Sequence, residues 1–142
     1  MLRRVLFGCT LVALVATIGS LYFSEVAGFP PCELCWYQRI LMYPLVVVLG
    51  VAAYERNTGV WKTGLPLSVL GAGVAAYHTF IQLSPESEVT TCTIGGGCTS
   101  IYWEGLVVFT IPRLSLLAFV LITAGLAFLA YLDLSETSQA VR

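Results

Sequence analysis

The chain has 142 residues, the length of one domain, with 58% hydrophobic residues, 11% charged residues and a net charge of −1. That balance departs from a soluble domain, in which about a quarter of residues are charged, and points to a bilayer as the solvent. The small net charge and the lack of like-charge runs exclude a nucleic-acid surface, so partners are expected in or at the membrane.

A helix needs about 20 apolar residues to cross about 30 Å of hydrocarbon. The first stretch of that kind, Val5 to Phe23, carries no charge. Met1-Leu2-Arg3-Arg4 ahead of it is also how a secretory signal begins, but the run is long for such a signal and no clear cleavage site follows. Cys9, inside this stretch, reads as a buried packing thiol. The segment Ser24 to Trp36 is a loop that ends in Pro30-Pro31-Cys32-Glu33-Leu34-Cys35-Trp36.

The second span is Tyr37 to Tyr54, with Arg39 one turn beyond Cys35 on the same face. The third is Val60 to Leu83, with Lys62 near its start and His78 and Gln82 near its end. Ser68, Ala72 and Ala76 make a stripe of small residues on it, with Gly71 and Ala75 beside them, and this suits ordinary bundle packing. A long loop, Ser84 to Ile111, holds Cys92 and Cys98 around Thr93-Ile94-Gly95-Gly96-Gly97. Its apolar part, Tyr102 to Phe109, is too short to span and is expected to lie in the interface. Pro112 opens the fourth span, which runs to Leu132.

The fold class is therefore an all-α membrane protein, a four-helix bundle in one domain over residues 1–142. Arg3, Arg4, Arg56, Lys62 and Arg142 fall on one side of the membrane and only Arg39 and Arg113 on the other. The positive-inside rule then puts both termini in the cytoplasm and the two cysteine loops outside. Trp36, Tyr37, Tyr102 and Trp103 fall near the outer boundary, at the level expected of aromatic anchors.

Four of the five cysteines thus lie in the outward loops, where thiols tend to be oxidised. Two static disulfides are the bland reading. Against it, a loop as small as that of Cys32 and Cys35 gains little chain entropy from closure and is a better redox pair than staple. A helix amino terminus favours thiolate, most strongly at Cys35, and Arg39 can reach that thiolate or an oxygen of a molecule bound beside it. The glycine-rich turn makes a Cys92–Cys98 disulfide flexible and open to attack by an incoming thiolate. His78 and Gln82 form a polar pair in lipid, which suggests a site, and His78 is suited to bonding a quinone carbonyl or relaying a proton. Zinc is the other chemistry for four thiols, but the second pair has five intervening residues and sits on the oxidising side, so no metal is expected.

With these residues in place, the chain resembles the disulfide-bond formation protein B (DsbB) family, in its short type with a closely spaced second pair. The resemblance rests on Pro31-Cys32-Glu33-Leu34-Cys35-Trp36-Tyr37-Gln38-Arg39, on Tyr77-His78-Thr79-Phe80-Ile81-Gln82-Leu83, on Cys92 with Cys98, and on Thr110-Ile111-Pro112. It implies a plasma-membrane oxidase for a DsbA-like, thioredoxin-fold partner, passing electrons to ubiquinone or menaquinone. By the family's mechanism the partner attacks Cys92–Cys98, Cys98 attacks Cys32, and Cys35 is released as a thiolate beside the quinone, with Arg39 and His78 lining its pocket. The short offset between Cys92 and Cys98 leaves less slack for the Cys98–Cys32 step. The rival enzyme reading is a vitamin K epoxide reductase-like quinone reductase, whose quinone-proximal C-x-x-C precedes the last helix rather than the second. The rival non-enzyme reading is a membrane scaffold with two structural disulfides.

Overall fold

A computed structural model describes residues 1–84 and 110–140 of the chain. The loop cysteines Cys92 and Cys98 and the expected interfacial segment Tyr102 to Phe109 lie outside the described residues. Four helices, α1 (Leu2–Leu21), α2 (Glu33–Glu55), α3 (Trp61–Leu83) and α4 (Ile111–Ala140), are each long and apolar enough to cross a membrane. No strand occurs among the described residues. Helices suit such a sequence because every backbone polar group is then bonded within its own segment, with none left to hydrocarbon. Large apolar side chains on every helix point outward, among them Leu11, Val47, Leu70 and Leu121, as lipid-facing residues do.

Each helix packs against its sequence neighbours, and α1 closes the ring against α4. The core between them is built from Leu6, Leu45, Leu49, Phe119, Ile122 and Leu126, all essentially inaccessible. Three close approaches depend on glycine, the first at Gly64 against Leu126. A Cβ at Gly71 would collide with the Phe119 ring, and one at Gly125 would collide with the sulfur of Cys9. Cys9 is thus a buried thiol seated on a helix–helix contact, which gives the packing reading a physical basis. Ser68 adds a polar tie between α3 and α4, accepting a hydrogen bond from Thr123 Oγ1 at 3.0 Å.

Several boundaries differ from the expectation. The second helix starts at Glu33 rather than Tyr37, so the loop expected over residues 24–36 contains much less free chain than that. Pro30 and Pro31, which have no backbone N–H to continue a helix, precede the start, Cys32 takes the extended cap position with φ −73° and ψ 170°, and Glu33 in the first turn complements the helix dipole. A hydropathy count omits that turn because it penalises the same glutamate. The start of the loop is also helical, a π-turn over Tyr22–Val26 closed by the Ala27 N–H on the Tyr22 carbonyl at 3.0 Å. The fourth helix continues to Ala140, beyond the apolar limit at Leu132, because Asp133–Ala140 is helix-compatible but polar. The inward stripe of α3 is Gly64, Ser68, Gly71, Ala75 and His78, whereas Ala76 is exposed and Ala72 half-buried.

Candidate functional site

The end of α1, the start of α2, the end of α3 and the start of α4 meet at one end of the bundle, around a cavity of about 520 Å³. Its wall is largely apolar. Cys32, Cys35, Arg39 and His78 all line it. The sequence-expected residues on the described segments are therefore brought together, although they come from two helices and a cap.

Cys32 is buried and Cys35 half-buried, both as free thiols, with Sγ atoms 3.1 Å apart. The cap position turns the Cys32 side chain inward, and the first turn of α2 returns Cys35 above it. His78 Nε2 lies 3.7 Å from Cys32 Sγ. On its other side, His78 Nδ1 lies 3.0 Å from the Gln38 amide nitrogen, and Gln38 is itself buried. An amide nitrogen only donates, so Nδ1 accepts and Nε2 presents its proton toward Cys32.

The Cys32 thiol is held well below its ordinary range. The first cause is the hydrogen bond from Cys35; burial opposes it, and the hydrogen bond and charge of His78 lower it further. Helix position alone suggests Cys35 as the stronger thiolate. In the dithiol state the charge is instead favoured on Cys32, because this sulfur faces the imidazole and receives its partner's proton.

Arg39 is buried and anchored, donating from Nε to Ser20 Oγ at 2.9 Å and from Nη2 to the Ser20 carbonyl at 2.9 Å. Its guanidinium also lies over the Trp36 ring, 5.3 Å from the centroid. The end of α1 thus fixes the cation at the cavity wall, a role for Ser20 that no motif signals. His78 and Gln82, expected to act as a pair, both line the cavity, and the two ring nitrogens of His78 face Gln38 and Cys32. Gln82 Oε1, the Tyr43 hydroxyl and the Thr110 hydroxyl are buried without a hydrogen-bond partner among the described residues, and all three residues line the same cavity. Tyr43 is one turn beyond Arg39, so the helical period that links Cys35 to Arg39 also reaches it.

Residues 2–130 match the family model described as disulfide bond formation protein DsbB. The chain is 48% identical over 120 residues to disulfide bond formation protein C of Bacillus subtilis (strain 168), covering 82% of this chain and 86% of the relative. It is 41% identical over 133 residues to a probable disulfide formation protein of Coxiella burnetii (strain Dugway 5J108-111), covering 92% and 90%. A probable disulfide formation protein of Deinococcus radiodurans is 43% identical over 127 residues, covering 83% of each. No solved structure matches the chain significantly.

Proposed function

The chain belongs to the DsbB family of disulfide bond formation proteins, and from that membership we propose that this membrane disulfide oxidoreductase oxidises a DsbA-like partner and delivers the electrons to a membrane quinone. The observation that carries the acceptor is the cavity. About 520 Å³ of mostly apolar space, with a dithiol, a buried arginine and orphaned polar atoms on its wall, has the character of a small-molecule site. The Tyr43 and Thr110 hydroxyls are donors without partners among the described residues, and a planar ring with two carbonyl oxygens answers that need. The residues therefore fit a quinone. Arg39, held by Ser20, would bind one carbonyl; Tyr43 or Thr110 would bind the other. When bound, a quinone supplies an acceptor for two electrons and two protons.

The chain's own chemistry is thiol exchange. The partner's thiolate attacks the Cys92–Cys98 disulfide and forms a mixed disulfide with Cys92. Cys98 then attacks Cys32, breaking Cys32–Cys35 and releasing Cys35 as the thiolate at the cavity. In the free dithiol the proton is on Cys35; once Cys32 is held in the inter-loop disulfide, Cys35 is the sulfur left to carry charge. The partner's second thiolate releases Cys92, and the partner leaves as a disulfide. Cys92 attacks Cys98 to restore Cys92–Cys98, and Cys32 is then the leaving group, its negative charge stabilised by His78, which Gln38 keeps in orientation. The clustering of Arg3, Arg4, Arg56 and Lys62 at the opposite end supports an outward-facing cavity end in the plasma membrane.

Family membership decides against the vitamin K epoxide reductase-like reading. The test of the proposal is turnover in detergent with a reduced DsbA-type partner and a soluble quinone analogue, following quinone absorbance and partner thiols together. Stoichiometric loss of both is expected. Cysteines that stay oxidised with every partner and quinone would instead make the protein a scaffold with structural disulfides.

A further inference from the structure

We propose that the reduced Cys32–Cys35 pair and His78 form a binding site for a borderline or soft divalent cation of the zinc class, which holds the protein in a reversible dead-end state. The inference rests on the redox reading above only in that the dithiol must arise during turnover.

The three ligand atoms, two Sγ and one Nε2, lie within 4.8 Å of one another, and two of the three residues are buried. A tetrahedral zinc with Zn–S of about 2.3 Å and Zn–N of about 2.0 Å requires sulfurs about 3.8 Å apart and sulfur and nitrogen about 3.6 Å apart. Cys32 Sγ and His78 Nε2 are already 3.7 Å apart. The sulfurs, at 3.1 Å, need to part by about 0.7 Å, which a half-buried Cys35 in a first helical turn can accommodate by rotation.

The outer shell is also present. A ligating histidine ordinarily donates its second ring N–H to an oxygen, which fixes the ring and raises its basicity. Gln38 lies 3.0 Å from Nδ1, and turning its amide over puts Oε1 there to accept that proton. All three ligand residues line the cavity, which gives a cation and a water molecule a way in to a fourth position. Three protein ligands with one open position describe a labile site rather than a closed structural one. Binding consumes no electrons: the one proton held by the sulfur pair is released, the His78 proton moves from Nε2 to Nδ1, two S–metal bonds and one N–metal bond form as metal-bound water leaves, and the sulfurs can no longer close to a disulfide. The site exists only in the reduced state, since oxidation removes both thiolates.

The experiment uses the full chain with Cys92→Ser and Cys98→Ser, so that Cys9, Cys32 and Cys35 are the remaining thiols. The reduced protein, freed of reductant, is titrated anaerobically with Co²⁺ alone. One Co²⁺ per chain is expected, with the intense visible absorption of a four-coordinate site and a sulfur-to-cobalt charge-transfer band. Both signals should vanish when Zn²⁺ is added and be absent from the oxidised protein. His78→Ala should weaken binding at least about 100-fold and Gln38→Ala about tenfold, the size typical of an outer-shell loss. His78→Gln supplies a second variant of similar bulk if His78→Ala does not fold. Absence of cobalt binding, or affinity and spectrum unchanged without His78, would overturn the site. Turnover of the unsubstituted protein in the presence of a chelator separates the two readings. Turnover without cobalt binding removes only the metal site, whereas cobalt binding without turnover removes the redox reading and leaves the site standing.

Discussion

The two ends of the bundle treat their polar groups in opposite ways. At the end where α2 passes into α3, the half-buried carboxylate of Asp133 accepts from Trp61 Nε1 at 3.1 Å and from Thr58 Oγ1 at 3.4 Å, so one acidic group ties α4 to the turn before α3. At the other end Gln82, Tyr43 and Thr110 leave polar atoms buried around a cavity without partners among the described residues, and two thiols share a proton beside an imidazole. An unmade hydrogen bond in a low-dielectric site costs about 1–3 kcal/mol. On the proposed function, the polar atoms left without partners among the described residues at the second end are groups for a ligand to meet. Stability should therefore respond to substitutions at the first end and activity to substitutions at the second.

The largest effect is expected at Cys35. Cys35→Ser should reduce quinone-dependent turnover by at least about 10³-fold, to the uncatalysed background, while leaving the thermal midpoint close to that of the parent. A turnover assay beside a melting curve checks both halves, and retained turnover would break the contrast outright. Arg39→Ala comes next. Its bonds to Ser20 and, on the proposed function, to a quinone carbonyl are charge-assisted, worth about 1.5–3 kcal/mol, so the quinone concentration for half-maximal rate should rise about 10- to 100-fold. Ser20→Ala should produce a weaker version of the same change, because the carbonyl bond to Arg39 survives. A quinone dependence unaffected in Arg39→Ala would make the arginine an interfacial charge and no more.

At the opposite end, Asp133→Ala should cost about 1–3 kcal/mol by stranding Trp61 Nε1 and the Thr58 hydroxyl. Its turnover per folded molecule should match the parent, as read by equilibrium unfolding in detergent and by the same turnover assay. Loss of turnover without loss of stability there would invert the comparison. The smallest effect is expected for Tyr43→Phe, which removes a hydroxyl with no hydrogen-bond partner among the described residues. Stability should hold or improve slightly, and the quinone requirement should rise a few-fold, about the worth of one neutral hydrogen bond at 0.5–1.5 kcal/mol. Unchanged quinone dependence would transfer that role to Thr110.

The parts legible in the sequence are the local ones. Four apolar spans can be counted because crossing a bilayer sets a length, and the C-x-x-C, Arg39 and His78 stand out because they are polar where lipid is expected. Contacts between helices are less legible because they depend on helix rotation. Steps of four along a helix drift by about 40° each, so the series Ser68, Ala72, Ala76 turns away from the bundle. Mixed steps of three and four keep Ser68, Gly71, Ala75 and His78 facing in. The same rotation gives His78 its contacts with Cys32 and Gln38, which no spacing rule along one chain segment predicts. The start of α2 was obscured by Glu33, whose charge lowers hydropathy while favouring the helix terminus. Ser20 carries no signal at all, since its carbonyl does half the work and every residue has one.

The most direct test of the account is a single turnover at the cavity end alone. Protein carrying Cys92→Ser and Cys98→Ser is reduced, freed of reductant, mixed anaerobically with one equivalent of a soluble quinone analogue in the presence of a chelator, and assayed for quinone absorbance and free thiols. The account predicts two thiols lost for each quinone reduced, with Cys32 and Cys35 recovered as one disulfide. Thiols that persist while the quinone stays oxidised would contradict it, because the pair beside Arg39 and His78 would then not be where electrons leave the protein.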